Sequence, residues 1–154
     1  MLALTFQIGS NRLALGVREI KEVVPRVKLR EAPYAPAWLA GVFVYRGKIV
    51  PVVDLHKLVD SAKCPDYLSS RIILVPLPGD AEHRLIGLLA EQVADIRELD
   101  FTNANSSGCS DSSRPDLGPA IVDAEGIMHL ATVDRVIPHA HRAQLANLCH
   151  SISS

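Results

Sequence analysis

The stretch that decides the fold class is Leu39–Tyr45 (LAGVFVY), the turn Arg46-Gly47-Lys48, and Ile49–Val53 (IVPVV). Two short runs rich in β-branched and aromatic residues, joined by a turn holding a glycine, predict a β-hairpin. Pro51 lies inside the second run and has no N–H to give a ladder, so that strand is expected at an edge or bulged. Asp54 follows at once. Its carboxylate is placed to accept from the first free amides of a short helix over Leu55–Val59, a more natural role than that of a catalytic acid.

Working outward, Leu2–Ile8 (LALTFQI), the turn cluster Gly9-Ser10-Asn11 and Arg12–Leu15 predict a second hairpin. In Val17–Val24 (VREIKEVV) the residues Val17, Ile20, Val23 and Val24 fall on one helical stripe, although β-branching weakens a helix. The expectation is a short helix running into a strand near Arg26–Leu29. Pro25, Pro33 and Pro36 exclude a long helix here. Residues 60–70 read as a connector, and Arg71–Leu77, Arg84–Ala90 and Gln92–Arg97 as further strands, the first two separated by Pro78-Gly79-Asp80. The Ser-, Asn- and Asp-rich run 102–116 reads as a mobile loop. Gly118–Val122 and Ile127–Ala131 predict a hairpin around Ala124-Glu125-Gly126, Asp134–Ile137 a helical turn, and Ala140–His150 a terminal helix with Leu145, Leu148 and Cys149 on one face.

So many short strands between Gly, Pro and Asp turns indicate an all-β barrel or sandwich. The strand groups on either side of 60–70 suggest two subdomains within residues 1–138, followed by a helix and tail over 139–154. No strict sequence repeat is present.

Composition bounds the function. The chain has 154 residues, a formal net charge of -1 and 5% aromatic residues, so nothing global attracts nucleic acid and the core must be aliphatic. With 48% hydrophobic residues, either the core is large or apolar surface is kept for partners. Cys64, Cys109 and Cys149 are scattered without metal-ligand spacing, which suits a reducing cytosol. The N-terminus lacks the pattern of a signal peptide, and the longest uncharged stretch, Ala32–Tyr45, is too short and too proline-rich to span a bilayer. The expectation is a soluble cytoplasmic protein without membrane insertion.

No nucleotide-binding or hydrolase motif appears, so neither a catalytic residue nor a cofactor is assigned. His139 and His141 are two apart and cannot share a helical face. With His150 they are expected to be surface histidines, not metal ligands. Cys109 is a poor nucleophile candidate. Residues 12–31 carry six basic and three acidic side chains, whereas residues 91–111 carry one basic and five acidic. That asymmetry either merely solvates the surface or guides ring-forming contacts.

Residues Leu4–Val59 resemble the CheW family. The ordered motifs are Val17-Arg18-Glu19-Ile20, the proline-bearing Pro33–Leu39, Gly41-Val42, Arg46–Val50 with its R-G turn, and Pro51-Val52-Val53-Asp54-Leu55. A looser agreement extends the resemblance to about Ile137. It implies two five-stranded SH3-like barrels with a hydrophobic seam between them, and a scaffold in place of a catalyst. It further implies two partners, the regulatory domain of a CheA-type histidine kinase and the cytoplasmic signalling tip of a chemoreceptor, joined in rings beneath a membrane. With no phosphorylatable histidine, ATPase or receiver domain attached, the chain resembles a stand-alone CheW protein.

The resemblance places Glu19, Arg46 and Gly47 near the receptor and kinase surfaces, with a Glu19–Arg46 ion pair as one way to orient the arginine. Val42, Val44 and Val50 either line the seam that accepts the receptor tip or fill a barrel core; strand parity divides these roles. One departure stands out: the family carries N-L-R-G where this chain has Val44-Tyr45-Arg46-Gly47. It leaves open a specialised array outside chemotaxis, or a homologue that competes for array positions. A ligand-binding barrel is the remaining reading, and it lacks any recognisable convergence of polar residues.

Overall fold

The computed structural model describes residues 1–32, 35–60, 70–102, 104 and 116–151. The connector expected at 60–70 and the loop expected at 102–116 lie largely outside them. Ten strands follow one another as β1 (Leu2–Ile8), β2 (Asn11–Gly16), β3 (Glu22–Pro25), β4 (Leu39–Tyr45), β5 (Lys48–Asp54), β6 (Arg71–Pro76), β7 (Leu85–Ala90), β8 (Ile96–Glu98), β9 (Ala120–Asp123) and β10 (Gly126–Ala131). Helix α1 (Leu55–Asp60) follows β5, while α2 (Val133–Val136) and α3 (His139–Ser151) follow β10. The strands form two five-stranded SH3-like barrels, one ordered β8-β1-β2-β10-β9 and the other β3-β6-β7-β5-β4.

The two barrels do not divide at 60–70. The middle of the chain makes the second barrel, and its two ends come together to make the first, because β10 runs parallel to β2. Each barrel repeats one plan: an edge strand, an antiparallel hairpin, a parallel neighbour and a second hairpin. The first barrel follows this plan in circularly permuted order. Its edge strand and second hairpin, β8 to β10, come late in the chain, and its first hairpin comes at the start.

Three local expectations change. Only Val17–Glu19 is helical, as a single 3-10 turn, and the strand is Glu22–Pro25, not Arg26–Leu29. Exposure alternates along that strand and its residues pair with β6, so the period of two won over the helical stripe. The strand expected over Gln92–Arg97 begins only at Ile96. Strand β5 is interior, and the bulge falls on β4 between Leu39 and Gly41. Pro51 is tolerated there because its partner Val42 turns its own backbone groups away to Arg30, so Pro51 also faces away from β4. On that far side the register with β7 starts one residue later, at Val52.

Three apolar clusters fill the molecule. Ala3, Ala14 and Met128 lie inside the first barrel, and Val50, Val52, Ile72, Leu74 and Leu89 inside the second. The seam between barrels is itself core, with Leu4, Phe6, Leu13 and Leu15 packed with Ile73, Val75, Ile86 and Leu88 in one cluster. The C-terminal helix adds Leu145 to it, and His141 stacks on Trp38 at 4.5 Å. Gln7 and Glu91 exchange two backbone hydrogen bonds across the same junction, where the buried side chains of His56 and Glu91 meet at 3.1 Å.

Candidate functional site

The β4–β5 turn consists of Arg46 and Gly47, with φ of 49° and 77°. Two left-handed residues in succession give the turn whose twist suits a two-residue hairpin, and Gly47 adopts this without strain. The turn throws the Arg46 side chain outward, where it is 70% exposed. Its guanidinium carbon stands 5.1 Å from the centroid of the Tyr45 ring, a cation–π arrangement, and Nη2 lies 4.0 Å from Glu22 Oε1. The Tyr45 hydroxyl donates to the other oxygen of the same carboxylate. That bond, and to a lesser degree burial, holds the phenol above its ordinary pKa.

This overturns the expected Glu19–Arg46 pair. Glu19 instead accepts the Val133 N–H at 3.0 Å, at the start of α2. Thr132 precedes that helix without making a side-chain cap bond, so Glu19 supplies the missing acceptor from another element. Burial raises the Glu19 pKa, partly offset by the Val133 bond. In the second barrel Asp54 caps its own helix, accepting from His56 N–H at 3.0 Å.

The valines separate. Val42 is buried in the inter-barrel core, Val50 in the interior of the second barrel, and Val44 is 68% exposed. Val42 and Val44 share a face of β4, while Val50 stands opposite Phe43 on the other face. The three do not form one lining. Among the described residues an open groove of about 910 Å³ lies beside the Arg46 turn. Its apolar floor includes Ile49, Val50 and Leu85, and its rim carries Lys21, Arg46 and Arg84. Asp80 grips Arg84 through two bonds of 2.9 Å, which push the aspartate far below its usual pKa. An apolar floor beneath a mixed, mainly basic rim suits a protein partner better than a reacting small molecule.

Sequence reasoning missed Glu22, Lys21 and Tyr45 as members of the Arg46 neighbourhood. The signal available was the Tyr beside Arg46, an aromatic that can carry a cation. Among the described residues no three His, Cys, Asp or Glu groups stand together as a metal site. His139 is exposed, whereas His141 is half-buried against Trp38 and its pKa is lowered by that burial. The side chain of His150, like Cys64 and Cys109, lies outside the described residues. No helix among the described residues is long and apolar enough to cross a membrane.

A family model described as the CheW-like domain matches residues 2–141, and the chain belongs to that family. It is similar to the chemotaxis protein CheW of Treponema pallidum (strain Nichols), at 28% identity over 60% of this chain and 54% of that protein. It is also similar to the chemotaxis protein CheW of Thermotoga maritima, at 29% identity over 66% of this chain and 68% of that one. Protein FrzA of Myxococcus xanthus is 24% identical over 61% of this chain and 56% of its own length. The chain thus spans little more than half the length of several curated relatives it matches. Among solved structures, the scaffolding protein TtCheW from Thermoanaerobacter tengcongensis shares the fold with a TM-score of 0.69 at 23% identity, covering 84% of this chain and 82% of that one.

Proposed function

We propose that this chain is a non-catalytic adaptor that couples the regulatory domain of a CheA-type histidine kinase to the cytoplasmic tip of a chemoreceptor-like sensor. It would work in the cytoplasm, recruited to a membrane-associated array and able to join rings with the kinase or with other copies. The observation that carries this reading is the Arg46 turn: an exposed arginine held by Tyr45 and Glu22 over a groove with an apolar floor. Such a rim charge selects and orients a partner while the apolar floor supplies affinity.

A second reading has its own observation. Val44 and Tyr45 replace the family's Asn and Leu; Val44 adds exposed apolar surface and Tyr45 ties Arg46 to Glu22. These changes favour a sensor partner other than a standard chemotaxis receptor, in an array with another output.

The test is pull-down and kinase reconstitution with receptor tips, using the native chain and Arg46→Glu. The variant is expected to melt like the native chain and to bind at least about tenfold more weakly to one partner. Failure of the native chain to bind either partner sinks the adaptor reading, and unchanged binding by Arg46→Glu removes Arg46 from the site.

A further inference from the structure

In an antiparallel ladder every second residue turns its N–H and C=O away from its partner strand. At the outer edge of β4, Val42 is such a residue, and Arg30 takes both its groups, at 2.9 Å and 2.8 Å. The second barrel thus covers this edge at one point with Arg30, which ends the stretch Arg26–Arg30 (RVKLR), in which basic and apolar residues alternate.

Strand β9 holds the same place in the first barrel. Counted back from the two-residue turns, the Val122–Ile127 pair matches Val44–Ile49, and Ala120 matches Val42. The Leu130 N–H donates to Pro119 O at 2.7 Å, which sets the ladder phase so that Ala120 and Val122 face outward. Among the described residues neither has a backbone partner on that side. Val122 is 81% exposed and Ile127 57%. The adjoining turn is acidic. Asp123 and Glu125 share the single cation Arg12, and the Glu125 side chain is 74% exposed.

We propose that the β9 edge is a strand-addition site for an extended segment of a partner protein in which apolar residues alternate with Lys or Arg. The outward backbone groups of Ala120 and Val122 supply the ladder, Val122 the apolar contact, and Glu125 the charge preference. At β4 the equivalent outward groups are taken by Arg30, the last residue of the chain's own stretch of that pattern. This site stands apart from the Arg46 groove and does not rest on the adaptor reading.

The test uses a synthetic peptide of residues 25–31 (PRVKLRE) as probe, titrated into the full chain and followed by amide chemical shifts. Saturable shifts centred on Ala120 and Val122 are expected, and their loss when the Arg and Lys residues of the peptide are replaced by Glu. Val122→Glu should weaken binding about tenfold and Val122→Thr, which keeps strand preference, about threefold, while Val44→Glu leaves it unchanged. Shifts centred on Val42, or none, overturn the proposal. So does a shift of the Ala120 and Val122 amides with protein concentration alone, which would assign the edge to a second copy.

Discussion

The hairpins β4–β5 and β9–β10 occupy equivalent places in the two barrels, each with a two-residue turn and a Val opposite an Ile one step behind it. Their surroundings diverge. The first has a basic turn tied to a neighbouring strand through Tyr45 and Glu22, an edge covered by Arg30, and a following helix capped by its own Asp54. The second has an acidic turn tied through Arg12, an edge without a backbone partner among the described residues, and a helix capped from afar by Glu19. One backbone plan can therefore be completed with opposite charges and different caps.

The largest expected effect tests how each hairpin is entered. A Cβ on Gly118, at φ 87°, would lie 2.0 Å from the Leu130 carbonyl oxygen, and one on Gly41, at φ 149°, 2.7 Å from that of Arg30. Gly118→Ala should cost about 3 kcal/mol in urea unfolding, with Gly41→Ala next. A neutral Gly41→Ala would break the claim that the Arg30 segment closes tightly over β4.

The caps come second. Asp54→Ala should cost about 2 kcal/mol, since it removes a buried acceptor, whereas Thr132→Ala should cost less than about 0.5 kcal/mol. Glu19→Ala falls between, at about 1 kcal/mol. If Thr132→Ala proves as costly as Asp54→Ala, the two helices are capped alike and the contrast fails.

A third comparison uses pH. The Arg12 hydrogen bond is the main cause that lowers Asp123 from 3.8 to about 2, against a smaller opposing effect of burial. A depressed carboxylate stabilises the fold above its unfolded pKa and loses that contribution as pH falls through its folded one. Arg12→Gln should therefore lower stability near neutral pH by at most about 1 kcal/mol. The gap to the native chain should narrow as pH drops from about 4 towards 2. Melting curves at pH 6 and pH 3 check this, and a gap that does not narrow assigns the loss to packing of the Arg12 stem.

The smallest effect concerns the other turn. Glu22→Gln should lower the pH at which the Tyr45 phenol ionises, read by ultraviolet difference titration, because a neutral amide holds the hydroxyl proton less strongly than a carboxylate. No change would mean that Tyr45 and Arg46 are not oriented by Glu22.

The hairpins were legible in the sequence because Gly-bearing turns between β-branched runs leave few alternatives. Asp54 was legible as a cap for a similar reason, since its carboxylate acts on amides only two and three residues away. The Val17–Val24 stretch misled because its residues fit a helical stripe and a strand about equally until β6 lay alongside. Glu22 was passed over for Glu19 because the two lie close together in sequence, and only folding shows which carboxylate points to Arg46.

Local chemistry by itself determined an all-β chain, its turns, its short capped helix and an arginine-bearing hairpin beside a motif series of the CheW type. Tertiary structure decided how the strands divide between barrels, which valines are core, which carboxylate meets Arg46 and which hairpin edge Arg30 covers. Turns and caps depend on residues a few positions apart. The division between barrels depends on parallel pairing between β2 and β10, more than a hundred residues distant along the chain, which no local pattern encodes.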